Sequence, residues 1–218
     1  MTISMHRSWD LAKKHITDVV KNCRDSNDLM PHLEKCLSWG LKLKASAGCA
    51  LKISLYGHDI DRAFKGRIRR EDYTNYDEYK IQHALHSANY LVEYLTKINS
   101  DARLVSEVGI LVKHHENEFV GGIEGLVYSD LRFLRDADSI SFFDDSNAII
   151  KYAVNHGIAD TRAKIKYMND KLTKKARARP EVMVIYQNAI RQINKMQQDL
   201  TLNQQQTKAS PSTLENFL

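Results

Sequence analysis

Apolar residues recur at intervals of three and four positions through most of this chain. That spacing places them on one face of an α-helix, whereas a strand would show strict alternation. Long stretches also lack the helix-breaking residues, since the whole sequence holds only 9 glycines and 3 prolines. The pattern therefore predicts an all-α protein with nine helices at 6–24, 28–39, 45–61, 72–98, 101–116, 124–142, 144–155, 157–178 and 180–202.

Several residues mark helix ends. Asp28 and either Ser100 or Asp101 are suited to cap a helix N-terminus, Gly40 to stop a helix, and Pro180 to occupy a first helical turn. We expect one helical domain over 1–202, with a core at about 10–145 and further helices at about 157–202. The stretch 203–218, rich in Gln, Ser and Thr, is predicted to be a disordered tail.

Composition narrows the class of protein. The chain has 218 residues, 43% of them hydrophobic and 27% charged, which is typical of a globular domain that needs no metal or disulfide for stability. No stretch approaches the roughly 20 apolar residues of a membrane span, so no membrane partner is expected. Three cysteines without paired spacing and no apolar leader indicate a cytoplasmic protein.

Histidines and aspartates fall at the inner faces or ends of the predicted helices. His15 lies on a stripe with Ala12, Val19 and Cys23. The third helix is apolar and ends abruptly in His58-Asp59. Burial of a carboxylate beside an imidazole is costly unless both groups have a partner, and one divalent cation would serve both.

The same pattern returns further along the chain. The fourth helix carries His83, and the fifth ends in the doublet His114-His115. In the sixth, Asp138 continues the apolar stripe of Leu131 and Leu134, whereas Asp136 points elsewhere. Taken in order, these residues form a set of possible metal ligands on separate helices.

This order of motifs resembles the HD-domain superfamily of metal-dependent phosphohydrolases. The resemblance rests on Lys14-His15-Ile16-Thr17-Asp18-Val19-Val20, on Leu55-Tyr56-Gly57-His58-Asp59-Ile60 and on Arg135-Asp136-Ala137-Asp138-Ser139-Ile140. It implies an HD-domain-like helical bundle, here with additional C-terminal helices. No Gly-Tyr-Pro follows His114-His115, so the cyclic-dinucleotide phosphodiesterase branch is not indicated, and the chain looks like a small stand-alone member.

The resemblance also implies ligands and roles. It implies that one divalent metal is held by His15, His58, Asp59 and Asp138. His58 and Asp59 would be the catalytic pair, with Asp59 also in contact with the attacking water. A second metal, found in some branches, would add His83, His114 and His115. The cofactor is thus one or two divalent metals, with Mn, Mg, Fe, Co and Zn all compatible.

Positive charge near these motifs indicates an anionic substrate. The formal net charge is +5, and basic residues cluster after the His-Asp pair. We expect a substrate phosphate to be bound by Arg62, Arg67, Arg70 and Lys113. Nearby Tyr73, Tyr76 and Tyr79 could stack on a nucleobase, although packing of the fourth helix would also explain them.

The expected function is metal-dependent hydrolysis of a phosphate ester in a nucleotide or another small phosphorylated metabolite. Two alternatives remain open: a di-iron oxygenase on the same fold, and a non-catalytic module that binds nucleic acid or protein. The basic segment Lys171–Arg179 and the Gln-rich tail would suit the module. The last helix could pack on the core or on a second subunit, so a homodimer is also open.

Overall fold

A computed structural model describes residues 2–23, 28–117 and 125–209, and side chains as far as residue 203. The all-α prediction is confirmed, because these residues form ten α-helices and no strand. The first five helices are α1 (Met5–Lys21), α2 (Leu29–Leu43), α3 (Cys49–Gly57), α4 (Tyr76–Lys97) and α5 (Ala102–His114). The last five are α6 (Gly125–Phe143), α7 (Ser146–His156), α8 (Ile158–Lys171), α9 (Lys174–Arg177) and α10 (Pro180–Ala209).

The short helix α3 lies at the centre of the fold. It packs against α1, α2, α5 and α6, and seven of its nine residues are buried. A helix that is apolar on every side is stable only when it is covered on every side. Its C-terminus therefore delivers His58 and Asp59 into the interior, where both are buried.

Gly40 does not end a helix, and that prediction is wrong. α2 runs through it to Leu43. A Cβ atom at residue 40 would collide with the side chain of Leu55 in α3. The glycine therefore allows α2 and α3 to approach each other closely. In the sequence, a glycine required for helix packing looks the same as a glycine that ends a helix.

Two predicted helices are interrupted. The segment predicted at 45–61 forms α3 and then, after His58 and Asp59, a 3-10 turn at Ile60–Ala63. The segment predicted at 157–178 divides into α8 and α9, because Asp136 accepts hydrogen bonds from the backbone N–H (2.8 Å) and the hydroxyl (2.6 Å) of Thr173. Asp136 is thus an anchor for the C-terminal helices.

The remaining signals at helix ends were mostly correct. Asp101 caps α5 by accepting hydrogen bonds from the N–H groups of Arg103 and Leu104, and α10 begins at Pro180. Asp28 precedes α2 without a side-chain capping bond. α10 continues to Ala209, past the predicted end at 202, and the rest of the expected tail lies outside the described residues.

The C-terminal helices α8 and α10 extend the hydrophobic core. α8 contacts α6, α7 and α10, and α10 contacts α6, α7, α8 and α9. Ile165 of α8 and Val182, Ala189 and Ile193 of α10 join the same hydrophobic core. No helix in the described part of the chain is both long and apolar enough to cross a membrane.

Candidate metal centre

Six side chains from five parts of the fold meet beside the end of α3. They are His32 of α2, His58 and Asp59 after α3, His83 of α4, His115 after α5 and Asp138 of α6. We call this set the histidine–aspartate cluster. His58, Asp59, His83 and His115 are buried, whereas the side chains of His32 and Asp138 keep 23% of their exposure. The cluster therefore opens to solvent on the side of His32 and Asp138.

One half of the cluster is a compact group of four side chains. The Nε2 atoms of His32 and His58 lie 3.2 Å apart. Nε2 of His32 is 3.4 Å from Oδ1 of Asp138 and 3.5 Å from Oδ2 of Asp59, and Nε2 of His58 is 3.5 Å from Oδ1 of Asp138. Ligands about 2.1 Å from a common metal lie about 3.0–3.4 Å from one another. These separations therefore suit donors that share one cation.

The other half of the cluster consists of His83 and His115, together with the same Asp59. Its Oδ1 atom lies 2.8 Å from Nε2 of His83 and 3.7 Å from Nε2 of His115. The Asp59, His83 and His115 ligand atoms thus form a second group that could hold a metal, next to the group of His32, His58 and Asp59. A carboxylate with one oxygen in each group is suited to bridge two cations.

All four imidazoles direct the same ring nitrogen, Nε2, into the cluster. In each, Nδ1 faces an acceptor outside the cluster, which leaves Nε2 directed inward. Hydrogen bonds join Nδ1 to Leu55 O in His58 (3.3 Å), to Val112 O in His115 (2.7 Å) and to Ser141 Oγ in His32 (3.1 Å). Nδ1 of His83 forms an ion-pair contact with Asp61 Oδ1 (2.6 Å). Ser141 donates its own proton to Asp138 O, so it accepts from His32. This is the arrangement typical of histidine ligands.

One inward atom has no partner. Nε2 of His115 is buried and makes no hydrogen bond within the described residues. A buried polar atom without a partner costs about 1–3 kcal/mol. A cation bound between His115, His83 and Asp59 would satisfy this atom. The residues present therefore fit a metal.

Neighbouring positive charges keep the two carboxylates of the cluster ionised. Burial by itself raises the pKa of Asp59, but the positive charges of Arg62, His58 and His83 lower it well below its usual range. Burial likewise opposes ionisation of Asp138, yet the hydrogen bond and charge of His58 lower its pKa. Burial lowers the pKa of His32 to about 4. Near neutral pH the cluster therefore offers two carboxylates and a neutral His32.

His15 is not brought to the cluster. Its Nε2 atom makes a 2.8 Å hydrogen bond with the Tyr90 hydroxyl, and its ring stacks on Tyr94 with centroids 3.8 Å apart. The buried face of α1 is formed by Ala12, Ile16 and Val20. His15 is next to this face, not on it, and so sits half-buried at its edge.

His32 lies in the cluster, where His15 was expected, and the sequence did not lead us to predict it. It stands four residues before Cys36 and seven before Trp39, both buried in α2. That spacing puts His32 at the start of an apolar stripe, which is the signal that could have revealed it. Asp61, which contacts Nδ1 of His83, was missed as well.

The doublet contributes one of its two histidines. His115 follows α5 and enters the cluster, whereas His114 is the last residue of the helix and is half-buried outside both donor groups. Burial and the charge of Lys113 lower the pKa of His114. The expectation that both would be ligands thus finds geometric support for His115 alone.

The expected phosphate-binding residues have different positions. The guanidinium of Arg62 lies 3.0 Å from Oδ2 of Asp59, at the edge of the cluster. Arg70 donates to Tyr73 O and lies over the Tyr76 ring, with 5.3 Å between Arg70 Cζ and the centroid. Arg67 and Lys113 are exposed and form no ion pair with any described residue. The structure therefore brings Arg62 alone of these four into contact with the cluster.

Comparisons with protein-family models, with curated proteins and with solved structures each found no match. What the fold and the cluster define is thus an all-α protein with His/Asp groups that could hold one or two metal ions.

Proposed function

We propose that this chain is a metal-dependent phosphohydrolase of the HD-domain type, acting on a nucleotide or another small phosphorylated compound. The observation that carries the proposal is the inward direction of four Nε2 atoms around two ionised carboxylates, with Arg62 at the edge. A structural zinc site is normally closed by four protein ligands, most often thiolates. A site made of imidazoles and carboxylates and open on one side instead leaves room for water and substrate.

The proposed ligands are divided between two positions. His32, His58, Asp138 and one oxygen of Asp59 would hold the first cation, and His83, His115 and the other oxygen the second. A bound divalent cation supplies water with a pKa lowered toward about 7 and offsets negative charge on a phosphoryl oxygen. Mg, Mn, Fe, Co and Zn all accept ligands of these types.

The chain's own residues would then position the reactants. Asp59 is held by the Arg62 guanidinium at 3.0 Å. The Arg62 side chain keeps 45% of its exposure, and its guanidinium would bind a phosphoryl oxygen through a second edge. Asp138 and His32 line the open side of the cluster, where substrate and water would enter. The buried His58 and His115 exclude bulk water from the opposite side.

The test is elemental analysis of the purified chain, followed by phosphate-release assays on a nucleotide panel with added Mn²⁺ or Co²⁺. We expect about one or two metals per chain, and loss of phosphate release in Asp59→Asn with helical content retained. Asp72→Asn, which changes an exposed carboxylate, serves as the matched control. Two irons with oxygen consumption and no phosphate release would replace this proposal with the oxygenase. Absence of metal under every condition would favour a binding module.

A further inference from the structure

Three lysines from α4 and α8 line the approach to the histidine–aspartate cluster. They are Lys80, Lys164 and Lys171, and we call them the lysine rim. Lys164 Nζ lies 4.9 Å from the ring of Phe142, one turn beyond Asp138 in α6. Lys80 Nζ lies 4.0 Å from Glu116, the residue after His115, and Lys80 and Lys171 lie over the same Tyr167 ring. α8 thus supplies part of the wall beside the cluster.

The ammonium groups of the rim are packed against aromatic rings. Lys164 Nζ lies 4.3 Å from the centroid of Tyr152 and 4.9 Å from that of Phe142. Lys80 Nζ lies 4.8 Å from the Tyr76 centroid, and Lys171 Nζ 5.1 Å from the Tyr167 centroid. These contacts hold the amines in place, because an ammonium is attracted to the face of an aromatic ring.

Among the described residues, carboxylates lie within ion-pair distance of one of the three rim amines, that of Lys80. Lys164 and Lys171 form no ion pair within the described residues, and the carboxylates nearest to Lys80 are 3.9 Å (Asp77) and 4.0 Å (Glu116) away. The Lys80 side chain keeps only 10% of its exposure. Burial of an amine without a counterion is costly, and this applies to Lys164 and Lys171, which are half-buried. An anion from outside the chain would compensate them.

We propose that the lysine rim binds the second and third phosphate groups of a substrate whose reacting phosphate lies beside Arg62. The proposal rests on the proposed function and narrows it, because it makes the substrate a compound with phosphates in series, not a monophosphate ester. Arg62 and the metal-binding residues would take one phosphate, and Lys164, beside Phe142, and Lys80, beside Glu116, would take the next groups. Nucleoside triphosphates and inorganic polyphosphates share this chemistry.

Binding of imidodiphosphate, a non-hydrolysable analogue of pyrophosphate, tests the rim directly. Calorimetric titrations in constant excess Mg²⁺ would compare it with inorganic phosphate. We expect the wild-type chain to bind imidodiphosphate at least about tenfold more tightly, since each charge-assisted hydrogen bond is worth about one decade or more. Equal affinity for the two compounds would overturn the proposal.

The variant that isolates the charge is Lys164→Met, which keeps an unbranched apolar side chain against Tyr152 and Phe142. We expect it to lose most of the preference for imidodiphosphate, while Lys164→Arg retains it. Lys166→Met is the matched control, because Lys166 is exposed on the same helix. If Lys164→Met proves unfolded by circular dichroism, Lys80→Met takes its place. An unchanged preference in a folded rim variant would refute the proposal.

Further titrations distinguish a nucleotide from a polyphosphate as the ligand. They also distinguish failure of the lysine-rim proposal from failure of the proposed hydrolase function. Adenosine triphosphate bound more tightly than tripolyphosphate would identify a nucleotide; similar affinities would identify the polyphosphate itself. A single-stranded oligonucleotide that binds more tightly than either, through Lys164, would overturn the small-molecule assignment. Imidodiphosphate binding without hydrolysis of any ester leaves the rim intact and rejects the hydrolase. Hydrolysis of monophosphate esters that is unchanged in Lys164→Met would support the hydrolase and reject the proposed role of the lysine rim.

Discussion

The ring of His83 is held between two aspartates. Its Nδ1 atom lies 2.6 Å from Oδ1 of Asp61, and its Nε2 atom lies 2.8 Å from Oδ1 of Asp59. Asp61 is itself held by Ser87, whose hydroxyl donates to the same oxygen at 3.1 Å. Asp61 therefore acts through His83 as a positioning residue, because it orients the imidazole and increases its basicity.

Replacement of Asp61 by asparagine should weaken metal binding at the His83 position. The change preserves shape but removes the charge that fixes the His83 tautomer, so we expect metal affinity to fall about 10–100-fold. Metal titration of the chelator-treated protein measures this affinity, and circular dichroism verifies the fold. Asp72→Asn is the exposed control. Wild-type affinity in the Asp61 variant would show that the contact does not support the site.

His32 and His15 provide a paired test of the ligand assignment. We expect His32→Ala to lower metal content and phosphate release, because it removes a donor 3.2 Å from His58 Nε2. His15→Ala should leave both unchanged, since His15 is bonded to Tyr90. Elemental analysis of the two variants in parallel decides between them. Metal loss in the His15 variant alone would restore the original motif assignment.

Metal affinity should rise with pH. Although burial lowers it, the charge of Asp59 and hydrogen bonds to both aspartates raise the pKa of His83 to about 9. A cation at Nε2 must displace a proton below that pH, and His32, with a pKa of about 4, requires no such displacement near neutrality. We expect the apparent affinity to gain up to about one decade per pH unit between about pH 6 and 8, and to level off above about 9. Constant affinity over this range would contradict the expectation.

Asp136 should contribute to stability and not to metal binding. Its carboxylate holds the backbone and hydroxyl of Thr173 between α8 and α9. We expect Asp136→Ala to lower the free energy of unfolding by about 1–3 kcal/mol, because two donors lose their acceptor. Thermal and urea unfolding measure the change, with the exposed Asp199→Ala as control. Reduced metal content with unchanged stability would reverse the roles given to Asp136 and Asp138.

The fold class and much of the cluster could be predicted from the sequence, because both depend on patterns among neighbouring residues. Apolar spacing reveals helices, and polar residues at the end of an apolar helix are conspicuous without knowledge of their neighbours. His58 and Asp59 stood out because they end α3, and Asp138 because it extends the stripe of Leu131 and Leu134. The structure places all three in the cluster.

The failures concern contacts between distant helices. His15 and His32 both lie near apolar stripes, and periodicity does not show which stripe faces α3. The choice follows from packing: α2 lies along α6, so His32 of one meets Asp138 of the other across more than a hundred residues of sequence. Lys164 of α8 lies over Phe142 of α6 for the same reason, because α8 packs on α6. Periodicity is a property of neighbouring residues, whereas a ligand set depends on how separate helices cross.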